Sequence, residues 1–428
     1  MLLMNGGMAG EHPSDPVRRN FVLNVLDGAV FAFGLSFAAR TTVLPLFVQH
    51  LGGGNLAVGL LPVLWTLGFH LPQLAIAHHA GQVASKKGLV LRTGLVQRLP
   101  WLLLAVATFL WLGKLPPGWA LAVFFVLYTL AAVGGSLNLP GWFDLTAKLT
   151  PVRLRGRLFA LRTVLGSLLG VLGGAVVAAV LARSPSTDGF ALLFGLAFAV
   201  MVGSYAILAQ VKEERVPGTV PPARQPYRAF LRRLPDILRR DRNFRRFLVA
   251  DALLITAATA DAFYTVHAFE RFQLSEAYAG TFTVVLMASG AAGSLVFGYV
   301  ADRIGHRLNL ALTAATTLLA CLAALYAPTP GIYLFAFAGS ALALGLTSIS
   351  RLSIIAELSG EAERPTYVAL TNTLTAPFAL AGLLGGALAD AYGYEAVFVV
   401  AAALAFVAAL WLLLFVREPR RLAPVLAS

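Results

Sequence analysis

Charge is scarce in this chain. Asp, Glu, Lys and Arg together make up 12% of its 428 residues, about half the share of an ordinary soluble domain. Cysteine is nearly absent: Cys321 stands alone inside a hydrophobic run, which excludes an intrachain disulfide and a cysteine metal cluster. Enzyme signatures are missing as well. There is no His-Glu-x-x-His, no phosphate-binding loop and no Gly-x-Ser-x-Gly, and the seven histidines are scattered. A membrane enzyme would need convergent nucleophiles, metal ligands or paired carboxylates, so that class is set aside and neither cofactor nor metal is expected. The first twenty residues also lack the apolar stretch and small-residue cleavage site of a signal peptide, and the first apolar run is expected to act as its own insertion signal.

What the chain has in abundance is hydrocarbon. Hydrophobic residues account for 58% of it, and a helix needs about 20 mostly apolar residues to cross a bilayer. Twelve such spans are predicted, at 21–49, 55–79, 90–113, 118–143, 156–182, 189–211, 246–270, 277–301, 308–327, 331–357, 366–389 and 394–416. The expected fold is an all-α integral membrane protein. Its domains are a segment 1–20, a six-helix bundle 21–211, a linker 212–245, a second six-helix bundle 246–416 and a tail 417–428. The linker opens rich in proline and then sets Phe230, Leu231, Leu234, Ile237 and Leu238 among arginines at helical spacing, as an interfacial helix would.

The net charge of +13 raises nucleic acid as a partner, but its placement favours topology. With both termini cytoplasmic, the inward segments hold 27 of the 33 Lys and Arg residues, and the outward loops hold only Lys114, Arg183 and Arg271. That is the positive-inside pattern of a cytoplasmic membrane protein. Basic residues at a membrane edge suit anionic lipid headgroups, so a lipid bilayer and no nucleic acid is expected as the large partner, with the chain a monomer.

One loop is written twice. Gly81, Val83, Ala84, Lys86 and Gly88 overlay Gly298, Val300, Ala301, Arg303 and Gly305 at an offset of 217 residues. A second stretch repeats at an offset of 209, where Arg155 meets Arg364 and Gly173 meets Gly382. Both loops follow even-numbered spans, so the two halves share one orientation about an axis along the membrane normal.

These residues carry a resemblance to the major facilitator superfamily of secondary transporters over nearly the full chain. The family's loop G-x-x-x-D-R-x-G-R-R is matched by Gly298, Asp302, Arg303, Gly305 and Arg307, with His306 in place of one arginine. The first copy keeps Gly81, Lys86 and Gly88 but has Ser85 where the acid belongs. The resemblance implies that Asp302 latches across to the start of the fifth span, where Arg153, Arg155, Arg157 and Arg162 cluster, and that Ser85 offers at most a hydrogen bond on the opposite side. The plainer alternative is that Ser85 is a tolerated loop residue and the arginines only fix topology. Gly166, Gly170, Gly173 and Gly174 resemble the glycine-rich fifth-helix motif of proton-coupled efflux members, although Val171 stands in place of its proline and the spacing is one residue short.

Ionisable residues deep in a span cost about 3 kcal/mol each and persist where they face a cavity or a partner. Arg40, Asp261 and Arg351 lie deepest, with Asp27 and Asp251 shallower. In the family the first and seventh helices line the central cavity, which makes Arg40 and Asp261 the leading candidates for contact with solute or proton. The competing reading is an Arg40–Asp261 ion pair that only steadies the bundle. His70 is a candidate proton site, since imidazole titrates near neutral pH, with local packing as its alternative. Asn24, Trp65, Asn138, Trp142, Tyr264 and Asn372 are candidates for the cavity lining, and Asp144 is expected to pair with Arg155 or Arg162 at the wet edge. The function so implied is alternating-access transport of a small organic solute, with proton coupling and efflux as its expected mode. A passive carrier and a transporter-like sensor that moves nothing remain alternatives.

Overall fold

The computed structural model describes residues 15–80, 85–213, 235–359 and 363–419. The linker's proline-rich start and most of its expected interfacial helix lie outside the described residues, as do Gly81, the surroundings of Gly298 and the side chain of Asp302. All the regular secondary structure among the described residues is helical. In the first half the helices are α1 (Asp15–Ser36), α2 (Val43–His50), α3 (Asn55–Ala80), α4 (Lys86–Leu110), α5 (Pro117–Leu149), α6 (Val152–Arg183) and α7 (Thr187–Ala209). In the second they are α8 (Arg242–Ala258), α9 (Asp261–Phe272), α10 (Tyr278–Ile304), α11 (His306–Tyr326), α12 (Pro330–Leu358), α13 (Arg364–Thr375), α14 (Ala381–Tyr392) and α15 (Tyr394–Leu414).

Among the described residues, eleven stretches are long and apolar enough to cross a membrane. The twelfth is the first span, which is not the continuous helix expected over 21–49 but α1 and α2 separated by a break. The seventh span breaks likewise between α8 and α9, and the eleventh passes through a 3-10 turn, Ala376–Leu380. Hydroxyl side chains surround each interruption. Ser36 Oγ donates to the Phe33 carbonyl at 2.6 Å, Thr259 Oγ1 to that of Thr256 at 2.7 Å, and Thr375 Oγ1 to that of Thr371 at 2.7 Å. Such back-bonding competes with the helix ladder and bends it, and Pro377 removes a further donor in the eleventh span.

The halves are built alike at their ends. Asn20 clamps the backbone of Lys212, donating to its carbonyl at 2.9 Å and accepting from its N–H at 3.0 Å. Asn243 does the same to Arg417, at 2.9 and 2.8 Å. Both clamps lie on the side of the membrane that carries the termini, called the terminal side below.

Contacts that join the halves crowd the far side. α3 crosses α14 where Gly59 meets the Gly382 backbone, and Gly386 meets Asn55 and Leu56. α6 meets α10 through Gly174 against Val284 and Gly170 against Met287, where an added methyl would come within 2.7 and 2.8 Å of its neighbours. One turn further toward the terminal side a methyl on Gly290 would meet nothing within 4 Å. Small residues permit the close approach.

Candidate functional site

The breaks in the first and seventh spans face each other toward the far side. Thr265 Oγ1, one turn into α9, donates to the Thr41 carbonyl at 2.6 Å, and the hydroxyls of Thr42 and Thr283 lie 2.6 Å apart. Farther out, His50 Nδ1 lies 3.3 Å from Glu276 Oε1, and Asn55 donates to Asp390 at 2.9 Å while accepting from the Tyr394 hydroxyl at 2.7 Å. These contacts seal the far side. Just inside the seal sit Arg40 on one half and Asp261 on the other.

Arg40 is exposed although it lies midway along a span, and its guanidinium carbon stands 4.5 Å from the centre of the Trp65 ring. Trp65 stacks with Phe69 at 6.1 Å and packs on Tyr128 at 5.6 Å, which gives the first half an aromatic wall. Asp261 opens α9, where a carboxylate meets the positive end of the helix dipole. It is half-buried. No Arg40–Asp261 ion pair exists among the described residues, so the structural alternative for these two charges does not describe this conformation. His70 lies on the same stretch of α3, edge-on to Phe69 at 5.5 Å.

Other candidates are placed elsewhere. Tyr264 is fully buried in the wall of the second half, with its hydroxyl 3.3 Å from Cys321 Sγ and its carbonyl accepting from Tyr333 at 3.0 Å. It lines no cavity, because its face of α9 turns into the core. Asp27 accepts from Ser204 Oγ at 2.7 Å and from Arg162 Nη1 at 3.2 Å, within the first half. Arg162 also bonds the Asn24 carbonyl and lies 4.6 Å from the Trp142 ring. Arg351 grips Asp251 through Nε at 2.8 Å and Nη2 at 2.9 Å, and reaches Asn372 at 3.0 Å. These charges therefore hold helices together, since a buried carboxylate stripped of its cation is far costlier than the pair.

The two pairs are quasi-equivalent but not identical. α5 and α12 end at Leu149 and Leu358, which places Trp142 and Arg351 in matching positions. The second half takes its cation from that position, whereas the first half takes it from α6 and covers it with the tryptophan. Arg98 went unnoticed in the sequence. It is buried beside Asp27, donating to the carbonyls of Met201 and Gly94 and to Ser204 Oγ at 2.8, 2.9 and 3.2 Å.

The loop residues also find partners inside their own halves. Ser85 caps α4, accepting from the Gly88 N–H, and donates to Glu213 at 3.2 Å. Glu213 further accepts from the N–H groups of Lys86 and Lys87 at 3.2 and 2.9 Å and from Lys148 Nζ at 3.0 Å. Burial pushes the Glu213 carboxyl up, but the bonds from Lys87, Lys148 and Lys86 together hold it below its ordinary value. Glu418 takes the same place in the second half, accepting from the Arg307 N–H at 3.0 Å beside Gly305, whose φ of +105° suits glycine. Arg303 lies 4.5 Å from the Tyr299 ring. Arg155 donates to the carbonyls of Thr150 and Ala147 at the end of α5, where a cation offsets the helix dipole. Asp144 pairs with Lys86 at 3.2 Å, not with Arg155 or Arg162, both of which are engaged elsewhere. In this conformation, then, the Ser85 hydroxyl and the Arg155 and Arg162 side chains bond within the first half.

Comparison with known proteins settles the family. The sequence profile of the Major Facilitator Superfamily matches residues 26–375 and again 252–427. The chain belongs to the major facilitator superfamily. Solved structures of similar fold include a POT family transporter in complex with 5-aminolevulinic acid, at 12% identity and a TM-score of 0.71, covering 94% of this chain and 96% of that one. The nucleoside transporter NupG in its D323A form matches at 12% identity and a TM-score of 0.68, covering 93% and 99%. The D-xylose-proton symporter matches at 16% identity and a TM-score of 0.66, covering 94% and 98%. At such identities the likeness is one of fold. No curated protein sequence matches the chain. Superfamily membership and the membrane-spanning helices make this an integral membrane transporter built as two six-helix bundles.

Proposed function

We propose that this superfamily member moves a small organic solute across the cytoplasmic membrane by rocking its halves about the Arg40–Asp261 midline, driven by proton exchange at Asp261. The observation that carries the reading is the pair of facing helix breaks, joined through Thr265 and Thr41, with an exposed arginine beside one break and a half-buried aspartate opening the helix after the other. Discontinuous helices with ionisable groups at mid-membrane are how secondary transporters build a site reachable from each side in turn. The excess of Lys and Arg on the terminal side supports cytoplasmic termini, which puts the far-side contacts at the outer face. The glycine-rich α6 supports proton antiport as the direction.

The test uses purified protein in liposomes, with the solute that most stabilises the wild type in a thermal-shift screen. Asp261→Asn is expected to abolish movement driven by a pH gradient while solute exchange across equal pH persists. Unchanged coupling in the variant refutes the role of Asp261. A wild type that moves no stabilising solute refutes transport itself.

A further inference from the structure

Four arginines lie well inside the described spans, and three of them are satisfied by the protein. Arg98 donates to two carbonyls and a serine, Arg162 holds Asp27, and Arg351 holds Asp251. Arg40 differs. Among the described residues it has no carboxylate within ion-pair distance and no hydrogen-bond partner, and its close neighbour is the face of Trp65. A guanidinium has five donors and stays protonated at any accessible pH, so an unused one in a span must face water or a ligand.

Its setting favours one sign of ligand. Arg40 stands just ahead of α2, at the positive end of that helix, so the two charges reinforce each other. The N-cap residue Thr42 directs its hydroxyl to Thr283 and does not cap the helix. The carboxylate on the opposite half, Asp261, makes no ion pair with Arg40 among the described residues. Beside the cation runs the wall of Trp65 and Phe69, whose rings are within 9° of parallel. A flat apolar surface next to an unneutralised guanidinium suits a solute with matching parts.

We infer that the solute is a small organic anion, its carboxylate or similar planar oxyanion held by Arg40 and its flat unsaturated body laid against Trp65 and Phe69. This rests on the proposed transport role and adds the substrate class. Arginine is suited to the task because its fork matches a planar oxyanion in two-point fashion, which a lysine ammonium does not. A cationic solute is disfavoured beside the Arg40 guanidinium by like-charge repulsion.

The experiment measures equilibrium binding to the full-length protein in detergent with three acids, benzoate, phenylacetate and indole-3-acetate, and with their uncharged amides. At least one acid is expected to bind about tenfold or more tightly than its amide, as one charge-assisted pair would give. Arg40→Gln should bring acid and amide level, Arg40→Lys should keep part of the preference, and Trp65→Ala should weaken acid and amide together. Retention of the preference in Arg40→Lys guards against loss through misfolding. Three results would each overturn the inference: acids and amides binding alike in the wild type, no acid binding at all, or a preference that survives Arg40→Gln. Flux separates this from the transport reading. Liposomes that take up an amide but not its acid would refute the anion while transport stands. Acid binding without any flux would leave the anion site standing while transport falls.

Discussion

The crossing of α3 and α14 is the firmest test of which way the halves move. A methyl on Gly59 would strike the Gly382 carbonyl and one on Gly382 would strike the Gly59 carbonyl, so backbone is the obstacle in both cases. Backbone cannot rotate out of the way, so a leucine at position 59 is compatible with folding only if the far side opens. Overpacking of this kind typically costs about 1 to 3 kcal/mol. If the cost falls only on the far-side-closed state, the equilibrium between states shifts by about 5- to 150-fold. Spin labels read that shift as distances. In Gly59→Leu, labels at Gly54 and Tyr392 on the far side should move apart, while labels at Gly156 and Arg364 on the terminal side should draw together. The single native cysteine, Cys321, is buried and should not compete for label. A folded Gly59→Leu protein with both distances unchanged would refute the claim that this crossing holds the seal. Both distances growing together would mean that the halves separate without rocking.

Other consequences follow from the buried charges. Asp251→Ala, which leaves Arg351 without its counter-ion, should lower stability in detergent by about 3 to 5 kcal/mol, whereas the double change Asp251→Leu with Arg351→Met should recover much of that loss; equal losses in the single and double variants would refute the pairing. Glu213 provides a pH signature. Because its folded-state pKa is depressed, its contribution is fully present above the unfolded carboxylate pKa of about 4.3 and is lost as pH falls through the lower folded value. Thermal melts should show the wild type losing stability across that acid window, with Glu213→Gln starting lower and changing less; parallel pH profiles would count against the contact.

The sequence made the spans and their repetition plain because hydropathy and glycine spacing are local properties. It hid the breaks for an equally local reason. Ser36, Thr42 and Thr259 are unremarkable in a helix until their hydroxyls turn to backbone carbonyls or to the other half, and nothing in residue type announces that choice. Depth alone likewise could not rank the arginines. Arg40 and Arg351 look alike by position in a span, yet one is bonded to an aspartate and the other to nothing but a ring face. The difference depends on rotation about the helix axis and on which neighbour stands opposite, and neither is written along a single chain.

The ends of the two halves share a sequence pattern. Val211-Lys212-Glu213 and Val416-Arg417-Glu418 close the two halves with the same three-residue pattern. The structure shows why: each glutamate comes back to accept from the first N–H groups of its half's third span, at Lys86 and Lys87 in one case and at Arg307 in the other. A carboxylate there meets both a helix dipole and free donors. This bears on the serine that replaces the acid in the first loop. Ser85 is not left without a charge, because Glu213 supplies one to that loop from the end of the sixth span, within the same half. Whatever holds the terminal side closed on the Ser85 side must therefore compete with Glu213 for the Ser85 hydroxyl and the Lys86 and Lys87 amides. A latch there would have to form by exchange of partners.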